Sequence, residues 1–323
     1  MDRPRPTLSD FQRFTQELDQ LFEECRPERS GEVATYIPEL GRVDPEHFAM
    51  AVCTVSGERA AFGDSDTPFC IQSCSKPVNY LLALAARGVQ DVHRYIGREP
   101  SGQGFNELIF DALGRPHNPM VNPGGIVSAS MIEPSLTVLE RQELVEDMWA
   151  KMAGGEGPEL DESVYHSELE TADRNYALGY LIRERGMLPE ESDLLEALDL
   201  YFRCCSLELD VRAMSVAAAT LANGGVCPTT GERAAAGEHV RACLSLMSSC
   251  GMYDFSGEFA FSVGIPAKSG VSGCLMGVVP NVLGFAVWSP RLDGHGNSVR
   301  GLDFCRRLVE RFKFHTYDSL LNA

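Results

Sequence analysis

The chain has little positive charge to offset its acids. Its 28 lysines and arginines face 46 aspartates and glutamates, for a formal net charge of −18. A surface of that sign repels nucleic acid and anionic membrane, so neither is expected as a partner. No stretch approaches the ~18 uncharged apolar residues of a membrane span. Met1-Asp2-Arg3-Pro4-Arg5-Pro6 has no apolar core of the secretory-signal kind. Cys-x-x-Cys and His-Glu-x-x-His are both missing. The seven histidines (47, 93, 117, 166, 239, 295 and 315) are scattered. His166 near Glu168 and Glu170 is the nearest approach to a ligand cluster, so no metal is expected. The 11 cysteines are an odd number and cannot all pair within one chain. Cys53, Cys70, Cys74 and Cys274 lie in or beside apolar runs, and Cys204 adjoins Cys205. They read as reduced, mostly buried thiols in a cytosolic protein.

What is present is enough for a sizeable core: 323 residues, 44% of them apolar. Ser9-Asp10-Phe11-Gln12 is a capping-box pattern, and Phe11, Phe14, Leu18, Leu21 and Phe22 follow at helical spacing. That predicts a helix over 9–25. Strands are expected at 48–55 and 58–63, joined by the Ser56-Gly57 turn. Pro68 to Lys76 leads into a helix with Val78, Leu81, Leu82 and Ala85 on its stripe and Gly88 at its end. Helices follow near 136–153, 171–185, 191–204, 210–222 and 237–250, punctuated by glycines. Phe259–Val263, Cys274–Val279 and Val282–Trp288 read as strands, and a last helix carries Leu302, Phe304, Cys305, Leu308 and Phe312. The pattern is strands, a block of helices, strands again and a helix. Separated strands of this kind can join one antiparallel sheet. The reading is therefore a sheet-containing lobe from 1–88 and 256–323, with a mostly helical lobe at 89–255.

Chemistry centres on Ile71-Gln72-Ser73-Cys74-Ser75-Lys76. A serine three residues before a lysine at a helix start can form a nucleophile–base pair, because residues i and i+3 share a face. The lysine must first lose its proton, which burial and nearby positive charge favour. The bland alternative is a capping serine and an exposed lysine. Pro77 argues against ordinary helical geometry at Lys76, so a tightened first turn is expected. From 99 to 125 the chain is dense in Pro, Gly and Asn, which fits either a surface loop or a binding loop held rigid by prolines. A second triplet, Lys268-Ser269-Gly270, stands before a strand. Serine β-lactamases and penicillin-binding proteins pair Ser-x-x-Lys with Lys-Thr-Gly and Ser-Asp-Asn. The last of these has no counterpart here.

Longer stretches, in order, extend the match: Tyr36-Ile37-Pro38-Glu39-Leu40, Gln72 to Pro77, His117-Asn118-Pro119-Met120-Val121-Asn122, Ser167-Glu168, Asp173-Arg174-Asn175, Tyr201-Phe202, Ser249 to Tyr253 and Pro266 to Val271. With them the chain resembles the serine-dependent glutaminases from Tyr36 to about Asp318. The resemblance implies an α/β (α+β) β-lactamase/transpeptidase-like fold. A mainly antiparallel five-stranded sheet is flanked by helices and carries an inserted all-helical lobe. It also implies hydrolysis of L-glutamine to L-glutamate and ammonia through an acyl-serine, with neither metal nor organic cofactor. Carried over by position, Ser73 is the nucleophile, Lys76 its basic partner, Tyr253 the second proton-transfer group, and Tyr201 lies against the same centre. The backbone N–H groups of Ser73 and Val271 form the oxyanion hole. Losing one such donor typically costs about 3 kcal/mol in the barrier. Glu168 meets the substrate ammonium; Asn122, Asn175, Tyr36 and Tyr201 meet its carboxylate. Such a site selects the free amino acid, since polar groups would otherwise be buried unpaired.

Other readings accompany these. Tyr201, on a stripe with Leu194 and Leu198, could be plain core, and Lys268 either an exposed strand residue or a buried cation that depresses Lys76. The resemblance further implies a homodimer or homotetramer, and residues 102–116 align with a loop that responds to phosphate in animal members. Without a mitochondrial-type leader or ankyrin-type repeats, the expectation is a bare cytoplasmic catalytic unit, as in bacterial relatives. Two alternatives stay open. A penicillin-recognising acyl-serine enzyme lacks support from an export signal or Ser-Asp-Asn. A non-catalytic amino-acid sensor sits poorly with Ser73, Lys76 and Tyr253 all in place.

Overall fold

The computed structural model describes residues 10–104 and 107–320. The initial Met1–Pro6 segment, the Ser9 part of the expected cap, and positions 105–106 of the 102–116 loop lie outside the described residues. In chain order come helix α1 (Phe11–Cys25), strands β1 (Ala49–Thr54), β2 (Arg59–Gly63) and β3 (Phe69–Cys70), then α2 (Lys76–Tyr95), α3 (Asn122–Ser130) and α4 (Val138–Met152). Strand β4 (Glu159–Leu160), helices α5 (Glu162–Glu170), α6 (Asp173–Glu184) and α7 (Leu194–Cys205), strand β5 (Leu207–Leu209), and helices α8 (Val211–Ala222), α9 (Gly237–Cys250) and α10 (Ser256–Ser262) follow. Strands β6 (Ala267–Ser269), β7 (Cys274–Val279) and β8 (Leu283–Trp288) precede α11 (Val299–Phe312).

The five-stranded sheet runs β2-β1-β8-β7-β6, and every neighbouring pair is antiparallel. Its register sets Ala51 opposite Ala286 and Ala286 opposite Met276. Side chains alternate along each strand, so the two faces feed separate cores. Ala49, Ala51, Met276 and Ala286 join the apolar cluster of α2, α3, α7 and α8. Met50, Val52, Leu275, Phe285 and Val287 join the cluster of α1 and α11. Both faces are covered, which is why β1, β7 and β8 are buried along their whole length. Helix α8 can lie on β8 because Gly284 has no side chain there. A Cβ would come within 2.0 Å of the Ala219 nitrogen. On the other side Phe22 stacks on Phe48 at 4.2 Å and Phe14 meets Phe312 edge-on at 4.7 Å. α1 starts at a side-chain cap, with the Arg13 N–H donating to Asp10 at 3.0 Å.

The expected strands at 48–55, 58–63, 274–279 and 282–288 are present, and the expected middle helices agree to within about three residues at each end. Three expectations are corrected. Phe259–Val263 is not a strand; it falls in α10 and its end, and the fifth strand is Ala267–Ser269. A short apolar run cannot separate the two periods, and Phe261 is 83% exposed. Gly88 does not end its helix: at φ +75° it kinks the chain, which resumes helical geometry to Tyr95. Asn122-Pro123-Gly124-Gly125 is helical rather than loop, because proline is favourable in a first turn and packing overrides two glycines. The 162–170 helix was not anticipated, although Asp161 caps it by accepting from the Ser163 and Val164 N–H groups. α2, expected with the sheet, packs on α3, α4 and α9, whereas α8, expected in the helical insert, lies on the sheet.

Candidate active site

Gln72–Ser75 forms a single 3₁₀ turn ahead of α2, with the Lys76 N–H bonded to the Ser73 carbonyl. Such a turn has three residues per revolution, so positions i and i+3 lie directly above one another. This is the tightened first turn that Pro77 called for. Lys76 Nζ donates to Ser73 Oγ at 2.6 Å, and the two residues are 1% and 7% exposed. Burial pushes the Lys76 pKa below its ordinary value, while nearby acidic groups at Cys205, Glu168 and Cys74 pull it back up. Once the lysine is neutral, the same contact runs from hydroxyl to amine.

Two segments hold this turn. Ile71 N–H bonds to Leu207 O at 2.8 Å, tying it to β5. Cys74 Sγ donates to Lys268 O at 3.2 Å, tying it to β6. Gly270 makes that approach possible, since a Cβ there would lie 2.8 Å from Ile71 O and 2.5 Å from Cys274 Sγ. Lys268 is fully buried, not exposed. Its Nζ donates to Ser269 O at 2.6 Å and lies 4.5 Å from the Tyr253 ring centre. Burial first, and then the charge of Lys76, push its pKa down to about 7. Two buried ammonium groups repel each other reciprocally, so a proton on one disfavours a proton on the other.

Tyr253 begins the short 3₁₀ turn after α9, at φ +56°. Burial drives its phenol pKa well above 10, against the lowering effect of nearby Ser73. Tyr201, on α7, is 2% exposed with its ring centre 5.2 Å from Lys76 Nζ. It is both core and neighbour of the lysine. Gly125 of α3 is wedged against both; a Cβ would stand 2.9 Å from Lys76 Cε and from Tyr201 Cε2. One turn earlier on α3, Asn122 donates from Nδ2 to Asn175 Oδ1 of α6 at 3.2 Å.

Glu168, near the end of α5, is 6% exposed and accepts from Gln72 Nε2 at 2.9 Å. Burial raises its pKa from 4.5 to about 7, against the lowering effects of Gln72 and Lys76. Tyr36 stands at the rim, 52% exposed, yet burial of its phenol end and the charge of Glu168 raise its pKa. Val271 sits in the turn from β6 to β7, closed by Gly270 N–H to Cys274 O at 2.9 Å. It shares a small apolar cluster with Tyr253.

A cavity of about 710 Å³ is lined by Ser30 to Tyr36, Val271 and Leu292 to Gly296, and so opens beside Tyr36 and Val271. A second, of about 250 Å³, reaches Tyr253 past Pro100 to Gln103, Asn118 and Val121. Ser73 lines neither. The base of the 102–116 loop is pinned where Arg115 Nη1 donates to His93 O at 2.8 Å, Gly97 N–H to Pro116 O at 2.8 Å and Glu99 N–H to His117 O at 3.0 Å. Among the described residues no group of three or more His, Cys, Asp or Glu could hold a metal, and no helix is long and apolar enough to cross a membrane. The eleven cysteines are free and buried.

Contacts link Ser73, Lys76, Tyr201 and Glu168 around the 72–75 turn, while Asn122 and Asn175 bond to each other and Tyr36 and Val271 line the larger cavity. Gln72 was missed, although it stands inside the Ser73 motif. Chemically, the arrangement offers a hydroxyl against an amine of lowered basicity, a buried phenol that interacts with the same serine, and a buried carboxylate beside them.

A family model described as glutaminase matches residues 31–317. The liver-isoform mitochondrial glutaminase of Mus musculus is 48% identical over 318 residues, covering 98% of this chain and 53% of that protein. A glutaminase of Trichormus variabilis is 42% identical over 319 residues, covering 98% of this chain and 92% of that protein. The solved structure of a probable glutaminase, ybaS, superposes with a TM-score of 0.91 at 35% identity, over 95% of this chain and 99% of that one. The chain spans about half the length of the Mus musculus relative.

Proposed function

The chain belongs to the glutaminase family and has its β-lactamase-like fold, and from that premise we propose that it hydrolyses L-glutamine to L-glutamate and ammonia. The observation that carries the reading is the 2.6 Å contact between Ser73 Oγ and Lys76 Nζ, buried beside the Glu168 carboxylate. Ser73 Oγ attacks the side-chain amide carbon while Lys76 takes its proton. The N–H groups of Ser73 and Val271 receive the oxyanion. Tyr253, whose phenol interacts with Ser73, shares the proton transfer to the leaving ammonia. Water then attacks the acyl-serine, giving up its proton to the same groups, and frees glutamate and Ser73.

Recognition of the α-end follows from charge. Glu168 meets the ammonium; Asn122, Asn175, Tyr36 and Tyr201 meet the carboxylate. The enzyme acts as a cytoplasmic homodimer or homotetramer. The test is ammonia release from glutamine by the purified protein. Ser73→Ala is expected to abolish release while glutamine still binds. Activity that persists in that variant removes the nucleophile assignment.

A further inference from the structure

Two sulfur atoms meet behind the 72–75 turn. Cys74 follows Ser73 in the chain, and Cys274 is the first residue of β7. Their Sγ atoms stand 3.4 Å apart, and both residues are fully buried. Cys74 Sγ also lies 3.2 Å from Lys268 O, and Cys274 Sγ 3.3 Å from Ile71 O. Gly270 leaves room for the pair, since a Cβ there would come within 2.5 Å of the Cys274 sulfur and 3.5 Å of the Cys74 sulfur. A disulfide spans about 2.05 Å, so the two sulfurs need to approach by only about 1.35 Å to form one.

The thiols differ in acidity. At Cys274 burial works against ionisation, but hydrogen bonds with Cys74 and Ser272 and the charge of Lys268 outweigh it and bring the pKa below its ordinary value. At Cys74 burial prevails and the pKa rises. Cys274 is therefore the sulfur that attacks first. Burial of both excludes bulky disulfide reagents and leaves an oxidant of near water size. We propose that Cys74 and Cys274 form an oxidation site for a small hydroperoxide, and that the resulting disulfide switches the enzyme off. The Cys274 thiolate attacks one oxygen of hydrogen peroxide. An S–O bond forms, the O–O bond breaks, and the hydroxide released takes up the thiol proton as water. The Cys74 sulfur then attacks the sulfenic sulfur, the S–O bond breaks, and a second water leaves with the Cys74 proton. Each sulfur gives up one electron and the peroxide gains both. The switching half rests on the glutaminase reading above. The bond draws the Ser73 turn toward the Val271 turn, which Gly270 N–H closes on Cys274 O. Those turns carry the two N–H groups assigned to the oxyanion, and a misplacement of about 1 Å can cost on the order of 100-fold in rate.

The test treats the full-length wild type and Cys274→Ser with hydrogen peroxide, removes the oxidant with catalase, alkylates the remaining thiols and maps peptides without reduction. In the wild type, a peptide linked through Cys74 and Cys274 is expected, lighter by two hydrogens than its two thiol halves. With it, kcat on glutamine falls about tenfold or more at similar KM, and dithiothreitol restores it. Cys274→Ser keeps its own starting activity under the same peroxide. Cys274→Ala replaces it if circular dichroism shows poor folding, and the linked peptide in the wild type depends on neither variant. Absence of that peptide after treatment overturns the site. A linked peptide with unchanged kcat, or an equal loss of activity in the variant, overturns the switch. A wild type inactive on glutamine before any treatment overturns the glutaminase reading instead, and the linked peptide still decides the pairing.

Discussion

Replacing Glu168 by glutamine should destroy activity and strengthen the fold. Its carboxyl titrates near 7 in the folded chain against an ordinary 4.5, chiefly because it is buried. Between those two values the folded state holds a proton that the unfolded state has released. Stability therefore falls as pH rises from about 4.5, and the loss is complete above 7. The difference, 7 − 4.5 = 2.5 units, corresponds at ~1.36 kcal/mol per unit to about 3 kcal/mol. Glu168→Gln has no charge to bury and keeps an oxygen for the Gln72 amide. In urea unfolding without ligand, the variant should exceed the wild type by about 3 kcal/mol at pH 8, and by almost nothing at pH 4. L-Glutamate should then raise the midpoint of the wild type far more than that of the variant. A gap of the same size at both pH values would mean packing rather than ionisation. A wild type more stable than the variant at pH 8 would refute the reasoning outright.

Lys76→Arg should be as inactive as Lys76→Ala in steady-state assays, since a guanidinium keeps its proton and cannot serve as the base. Lys268→Met should show the opposite pH sign to Glu168→Gln. With a folded pKa of about 7 against 10.5, the lysine lowers stability below pH 7, and that penalty lifts as pH rises toward 10.5. The variant's stability advantage in urea should accordingly be largest near pH 6 and vanish near pH 10.5. Gly125→Ala sets two effects against each other. Alanine in a helix ordinarily gains about 1 kcal/mol over glycine, but here its methyl would press on Lys76 and Tyr201 from 2.9 Å, and overpacking costs about 1–3 kcal/mol. A kcat that falls at nearly constant KM is the expected result, and unchanged kinetics would show that the lysine can yield.

Much of this was legible in the chain. Ser73, Lys76 and Pro77 together implied a tightened turn, because proline restricts the residue before it. The near-continuous apolar runs at 49–54, 274–279 and 283–288 gave strands whose two faces are both covered. Phe259 to Val263 misled because five apolar-rich residues carry too few periods to tell helix from strand. α3 was hidden by its glycines. Gly125 is there to let a backbone come close to Lys76, a requirement that no local pattern announces. Gln72 was hidden for a similar reason, since its partner is 96 residues away. The chain has only four lysines, at 76, 151, 268 and 313; that two of them are fully buried at one centre could have been suspected from the apolar context of both.

Local spacing decided what could be decided within a turn or a strand: that a hydroxyl and an amine three residues apart would meet, where the sheet strands lie, and that the surface is strongly acidic. Distance in the chain set the limit. Which carboxylate faces Lys76, how deeply each charge is buried and hence how far its proton affinity moves depend on α5, α7 and β6 packing around the 72–75 turn. Desolvation belongs to the assembled interior, and no residue carries it alone.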